Sequence, residues 1–66
     1  MIKVDGKIID IVYRNEMFIV YVVFSKDGRL YLDEVSEKYN TDRFYLGQRV
    51  LLNIHSDGVF IEEAFI

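Results

Sequence analysis

The residues best suited to chemistry lie together near the end of the chain, in HSDGVFIEE at positions 55–63. This stretch holds the only histidine, His55, and the carboxylates Asp57, Glu62 and Glu63. Imidazole and carboxylate groups ligate metals and transfer protons, so a metal site or an acid–base pair is the chemistry that these residue types could support. Whether they can act together depends on the turn between them.

Asp57-Gly58 is a strong signal for a tight β-hairpin turn. Pairing the strands about this turn places His55 opposite Phe60 and diagonal to Glu62, roughly 7 Å away at the backbone. Such a contact offers a metal two ligands, whereas zinc sites use three or four. The sequence has no second histidine and no cysteine. We therefore predict an exposed His55–Glu62 ion pair beside a turn, and no metal site.

The other patterns that catalysis requires are absent from the sequence. The glycines, at positions 6, 28, 47 and 58, stand singly rather than in a phosphate-binding loop, and no serine lies in a nucleophile-elbow motif. The adjacent acidic pairs, Asp33-Glu34 and Glu62-Glu63, point to opposite faces of a strand, so each contributes at most one carboxylate to any site. We expect no catalytic, cofactor-binding or metal-binding residues, and a protein that is not an enzyme.

Nucleic-acid binding is an alternative because five-stranded barrels often serve that function. Tyr21, Phe24 and Tyr31 could stack on bases, with Lys26 and Arg29 holding phosphates. Polyanion-binding domains, however, gain most of their affinity from a basic face, and this chain has a net charge of −3. Nucleic acid is therefore the minority alternative, and the same aromatic residues serve equally well in a core or on a protein-facing surface.

The elements that would position these groups are strands, because β-branched and aromatic residues dominate and proline is absent. The predicted strands are GKIIDIVYR (6–14), FIVYVVF (18–24), RLYLDEV (29–35), QRVLLNI (48–54) and VFIEEAFI (59–66). Residues 36–46 break the alternation and predict a short helix or an irregular loop. In the last hairpin, the residues predicted to share the core face are Val50, Leu52, Ile54, Val59 and Ile61.

These elements predict an all-β fold, a small five-stranded antiparallel OB-like barrel with a short helix or loop between strands 3 and 4. The turns at Asp27-Gly28 and Asp57-Gly58 join its second and third strands and its fourth and fifth. With 66 residues, the chain forms a single domain over positions 1–66.

The chain is richer in apolar residues than so small a core can hold. It is 52% hydrophobic and 15% aromatic, and a domain of this size buries only about 60% of its unfolded surface. FIVYVVF is apolar on both faces, as in a strand that is covered on both sides. We therefore predict a surface patch that another domain or subunit covers, and the candidate residues for this partner-facing surface are Tyr21, Phe24, Tyr31 and Phe60.

No stretch of the sequence predicts membrane insertion or export. The apolar run FIVYVVF is far shorter than the ~20 residues that a spanning helix needs. The N-terminal MIKVDGKIID lacks an apolar signal core. We expect a cytoplasmic protein, either free or held at the inner face of the membrane through a transporter.

The stretch LGQRVLLNIHSDGVFIEE (46–63) resembles the TOBE (transport-associated OB) domain. The upstream stretch GKIIDIVYRNEMFIVYVVFSKDGRLYLDEV (6–35) is similar to the opening strand, central strand and Asp-Gly hairpin of the same family. The resemblance covers about residues 6–63. It implies a non-catalytic accessory domain that follows the ATPase domain in ATP-binding subunits of ABC importers, such as those for spermidine and putrescine. The implied partner is that ATPase domain or a second OB domain, as a domain pair or a homo-oligomer.

A second hypothesis is a free-standing protein that binds a small ligand between subunits. One branch of the TOBE family consists of small molybdate- or tungstate-binding proteins, which carry a Ser-Ala-Arg-Asn stretch that MIKVDGKIID does not match. The chain is compatible both with a short independent protein and with part of a longer one.

Overall fold

The computed structural model describes residues 2–38 and 43–66, and within these ranges the chain forms five strands and no helix. The strands are β1 (Ile2–Arg14), β2 (Met17–Lys26), β3 (Arg29–Glu37), β4 (Arg49–His55) and β5 (Gly58–Ala64). All pairings are antiparallel, and the strand order in the sheet is β3-β2-β1-β4-β5. The predicted all-β, five-stranded antiparallel OB-like fold is therefore confirmed.

The barrel is open along one seam. β3 and β5 are the two ends of the sheet order, and their Cα atoms approach within 8 Å. Yet no β3–β5 ladder joins them within the part of the chain that the structure describes. The sheet therefore curls almost to closure but keeps two free edges, which face each other across a cleft.

β1 is the central strand because it pairs with two neighbours in succession. Its first half pairs with β4, from Ile2 to Lys7, and its longer second part pairs with β2, from Gly6 to Arg14. A β-bulge between Ile8 and Asp10 lies just after the change of partner. Bulges bend a strand and increase its twist, which a curled sheet of this size requires.

One face of the curled sheet forms the core. Its buried apolar side chains come from every strand and from the β3–β4 connection: Ile8, Val20, Val22, Phe24, Val35, Phe44, Val50, Leu52 and Val59. The predicted core face of the last hairpin is confirmed, since Val50, Leu52 and Val59 are buried while Ile54 and Ile61 pack partly buried against them. We call this the inner face and the opposite one the outer face.

The connection between β3 and β4 differs in part from the expected helix or loop over 36–46. β3 continues to Glu37, because Ser36 still pairs with Ile19 of β2. Residues 39–42, in the middle of the predicted segment, lie outside the described residues. From residue 43 to β4 the chain is irregular, with Phe44 buried in the core and Leu46 exposed.

Candidate interaction surface

The last hairpin has a different register from the one predicted. Its turn residues are Ser56 and Asp57, and His55 pairs with Gly58 rather than with Phe60. Gly58 has a positive φ of 152°, and the ring of Phe60 lies 3.7 Å from the position that a Cβ on Gly58 would occupy. The glycine thus provides the first position of β5 in a backbone conformation that other residues rarely adopt. Because the shift is two residues, which is the side-chain period of a strand, the core face is unchanged.

The predicted His55–Glu62 ion pair is wrong for the same reason. The His55 ring instead meets Phe60 edge to face, with 5.4 Å between ring centroids. The Glu62 carboxylate contacts Lys3 Nζ at 3.1 Å. Hydrogen bonds from Lys3 and then Asn53 lower the pKa of Glu62 below its usual value. Glu62 therefore ties β5 to β1 across β4 and is not available to a site around His55.

No set of three or more histidine, cysteine or acidic side chains is grouped for metal binding in residues 2–38 and 43–66. The carboxylates that the sequence placed near His55 are separated. Asp57 lies exposed in the turn, and Glu62 is engaged by Lys3. The geometry of this hairpin is thus that of a structural turn.

A cavity of about 280 Å³ lies at one mouth of the barrel, between the β2–β3 and β4–β5 hairpins. Phe24 and Tyr31 stack there at 5.4 Å between centroids. Lys26, Asp33 and His55 also line the cavity. The cation and the carboxylate oppose each other in charge, so the cavity does not present the concentrated positive potential that phosphate or oxyanion recognition uses.

The outer face of β2 and β3 carries a continuous apolar area, which we call the outer patch: Tyr21, Val23, Leu30 and Leu32. Val23 pairs directly with Leu32, so the two side chains are on the same face. Leu30 is 77% exposed and Leu32 is 62% exposed, while Tyr21 and Val23 are half-buried.

Polar residues surround the outer patch. Tyr21 is flanked by Asp10 on β1 and Glu34 on β3, and Val23 is flanked by Lys7. An apolar centre with a charged rim of both signs is the composition typical of protein-binding surfaces.

The four residues predicted to face a partner do not form one surface. Tyr21 is in the outer patch, and Phe60 is on the outer face of β5, opposite Asn53 and 47% exposed. Phe24 is in the core at 5% exposure, and Tyr31, 40% exposed, stacks on it from the inner face.

Leu30 and Leu32, the most exposed members of the outer patch, are not among the residues that the sequence predicted to face a partner. A signal for them was present, because the Asp27-Gly28 turn sets the register of β2 against β3. That register pairs Val23 with Leu32 and so continues the apolar face of FIVYVVF onto the next strand.

Comparisons with protein families, with curated proteins and with solved structures find no match to this chain. Within residues 2–38 and 43–66, no helix has the length and apolar character that crossing a bilayer requires.

Proposed function

We propose that this protein is a non-catalytic, protein-binding domain, and specifically an accessory domain of the ATP-binding subunit of an ABC importer. The observation that carries the proposal is the outer patch, in which two leucines of a single strand expose 77% and 62% of their surface. The patch lies on regular strands, so its shape is held by the backbone hydrogen bonds of the sheet and not by a loop.

The energetics favour covering the outer patch. Burying a leucine side chain fully contributes about 1.5–3 kcal/mol. Leu30 and Leu32 are largely exposed, so a partner that covered both would gain about 3 kcal/mol from them, before any contribution from Tyr21. This gain suits a domain–domain contact, and the charged rim then selects the partner.

The transporter setting rests on the resemblance of residues 6–63 to TOBE domains, which flank the ATPase domains of importers. The charge of the chain agrees with a protein partner, since the net charge is −3 and the outer patch carries no basic cluster. In this proposal, the outer patch packs against the ATPase domain.

Photo-cross-linking in cells that produce the protein tests the proposal. Tyr21→p-benzoylphenylalanine puts a photoreactive ring of similar shape in the outer patch. Tyr13→p-benzoylphenylalanine is the control, because Tyr13 is a strand tyrosine that is 62% exposed but lies at the far end of β1, outside the outer patch. We expect position 21, and not position 13, to cross-link to the ATP-binding subunit of an importer, identified by mass spectrometry.

Two results would contradict the proposal. One is the absence of any product from position 21 under conditions in which the variant is folded and abundant. The other is a product that contains a nucleic acid or a protein unrelated to transport, which would place the outer patch in a different process.

A further inference from the structure

Among residues 2–38 and 43–66, no strand pairs with the outer edge of β3, which ends the sheet. The first residues of this strand, from Arg29 to Asp33, are all exposed. Asp33 lies at the border of the cleft where residues 33–36 face residues 57–60, and the residues before it extend beyond that cleft. A sheet edge presents a row of free N–H and C=O groups, and exposed apolar side chains beside it favour the addition of another strand. This edge carries neither proline nor a bulge to prevent such pairing.

The register of the β2–β3 hairpin shows which backbone groups are free. Asp27 and Gly28, with φ of 52° and 76°, form a two-residue turn that Lys26 and Arg29 close. The closing pair of such a turn is hydrogen-bonded, and bonded pairs then alternate along the ladder. Arg29, Tyr31 and Asp33 therefore direct their backbone groups to β2. Leu30 and Leu32 direct theirs outward, to the free edge.

The sequence of this edge, Arg29-Leu30-Tyr31-Leu32-Asp33, is complementary to itself. Antiparallel pairing about Tyr31 puts Leu30 opposite Leu32 of a second copy, and Arg29 opposite Asp33 of that copy. The Leu30–Leu32 pairs are then the hydrogen-bonded ones, which agrees with the outward direction of their backbone groups. The two tyrosines meet at the two-fold axis, where aromatic cross-strand pairs are favourable.

No neighbouring register keeps both the leucine pairs and the opposite-charge pairs. Moving the pairing by two residues in one direction puts Arg29 opposite Val35, and in the other direction it puts Arg29 opposite Tyr31. Both shifts remove the opposite-charge pairs, which specify the register.

We propose that β3 pairs antiparallel with β3 of a second copy of this chain, about a two-fold axis at Tyr31, to form one continuous sheet. Residues 29–33 of both copies make the contact. Leu30 and Leu32 of both copies remain on one side of that sheet, so the two outer patches adjoin. The pairing uses backbone groups of the β3 edge and does not depend on the function proposed above.

Charge reversal tests the register. Sedimentation equilibrium over a range from about 10 μM to about 1 mM should show the 7.8 kDa chain associating to twice its mass. Arg29→Asp and Asp33→Arg each place like charges opposite each other twice per dimer, and each should weaken association by at least about tenfold. The double variant Arg29→Asp with Asp33→Arg recreates both opposite-charge pairs and should restore association to within about threefold of the parent.

A backbone variant and an outer-patch variant complete the test. Leu32→Pro removes one outward N–H without removing a β2–β3 hydrogen bond, so it should abolish association while circular dichroism still reports a sheet. Tyr21→Lys alters the outer patch but not the edge and should leave association unchanged.

Three results would overturn the proposal. The first is a chain that stays monomeric over the whole concentration range, which would show that the β3 edge does not pair. Single charge variants that associate like the parent exclude this register. Loss of association in Tyr21→Lys, together with normal association in the charge variants, would mean that the copies meet through their outer faces instead.

Discussion

Gln48 is the only buried polar residue among the side chains that the structure describes, at 2% exposure. Its side chain makes three hydrogen bonds to backbone groups. The Oε1 atom accepts from Tyr45 N–H at 3.0 Å, and Nε2 donates to the carbonyl oxygens of Arg43 at 3.1 Å and Phe65 at 2.9 Å. One side chain thus joins the β3–β4 connection to the end of the chain, where regular strand pairing does not reach.

Gln48→Ala should destabilise the protein by about 2–4 kcal/mol, because it removes three hydrogen bonds and leaves their backbone partners unsatisfied. Urea denaturation measures the loss. Hydrogen exchange should also show faster exchange of Phe65 N–H, which bonds to the Arg49 carbonyl at 2.9 Å. Ser25→Ala, at an exposed position, is the control and should stay within about 0.5 kcal/mol of the parent. Equal stability of the two variants would show that Gln48 is not a structural link.

At the scale of elements, β1 has to change partners without losing its place in the core. Gly6 is, with Lys7, one of the two residues that pair on both sides, and it pairs with Phe24 on one side and with Val50 on the other. A Cβ at this position would lie 2.6 Å from Leu52 Cδ1 and 3.0 Å from the Val23 carbonyl oxygen. Leu52 is fully buried, and close-packed cores leave little space into which such a side chain could move. The glycine therefore allows the close approach of three strands.

Gly6→Ala should consequently destabilise the fold by about 1–3 kcal/mol through overpacking. If the clash with Leu52 is the cause, Leu52→Val should relieve it, and the double variant should be more stable than the sum of the two single effects predicts. Denaturation of the four proteins of this cycle gives the coupling energy. Strictly additive effects would show that the cost of Gly6→Ala comes from the backbone and not from Leu52.

At the scale of the whole molecule, apolar residues divide between a core and an outward surface. Leu52 and Leu32 make the comparison direct, because both are leucines in strands but their exposures are 0% and 62%. Leu52 fills the inner face, whereas Leu32 belongs to the outer patch. The stability of the isolated chain should therefore depend strongly on the first and weakly on the second.

Leu52→Ala should cost about 2–5 kcal/mol, as large-to-small changes in a core do. Leu32→Ala should change the stability by less than about 1 kcal/mol when measured at protein concentrations too low for association, because no core contact is lost. Urea denaturation of both variants provides the measurement. A large cost for Leu32→Ala in the monomer would assign that leucine to the fold and remove it from the proposed binding surface.

Most of the fold could be predicted from local patterns. The alternation of apolar residues identifies all five strands and the core face of the last hairpin, because the two-residue period of a strand is a local property. The turn at Asp27-Gly28 was also predictable, because a two-residue hairpin turn needs positive φ at both central residues and the dipeptide Asp-Gly is favoured there. A Ser56-Asp57 turn was not, because the dipeptide Asp-Gly predicts a turn at its own two positions and does not reveal that Gly58 will instead begin β5.

The alternation of residue types was therefore enough to specify an antiparallel sheet. It was also enough to show that the sheet has more apolar surface than its core can bury. Long-range packing specified the rest: that β3 and β5 stop short of pairing, that Phe24 is buried while Leu32 is exposed, and that Gln48 joins two distant segments. The physical reason is that the two-residue period of a strand determines which residues share a face. The exposure of each face depends instead on segments that are far away in the sequence. The open edge and the outer patch therefore depend on how those distant segments pack.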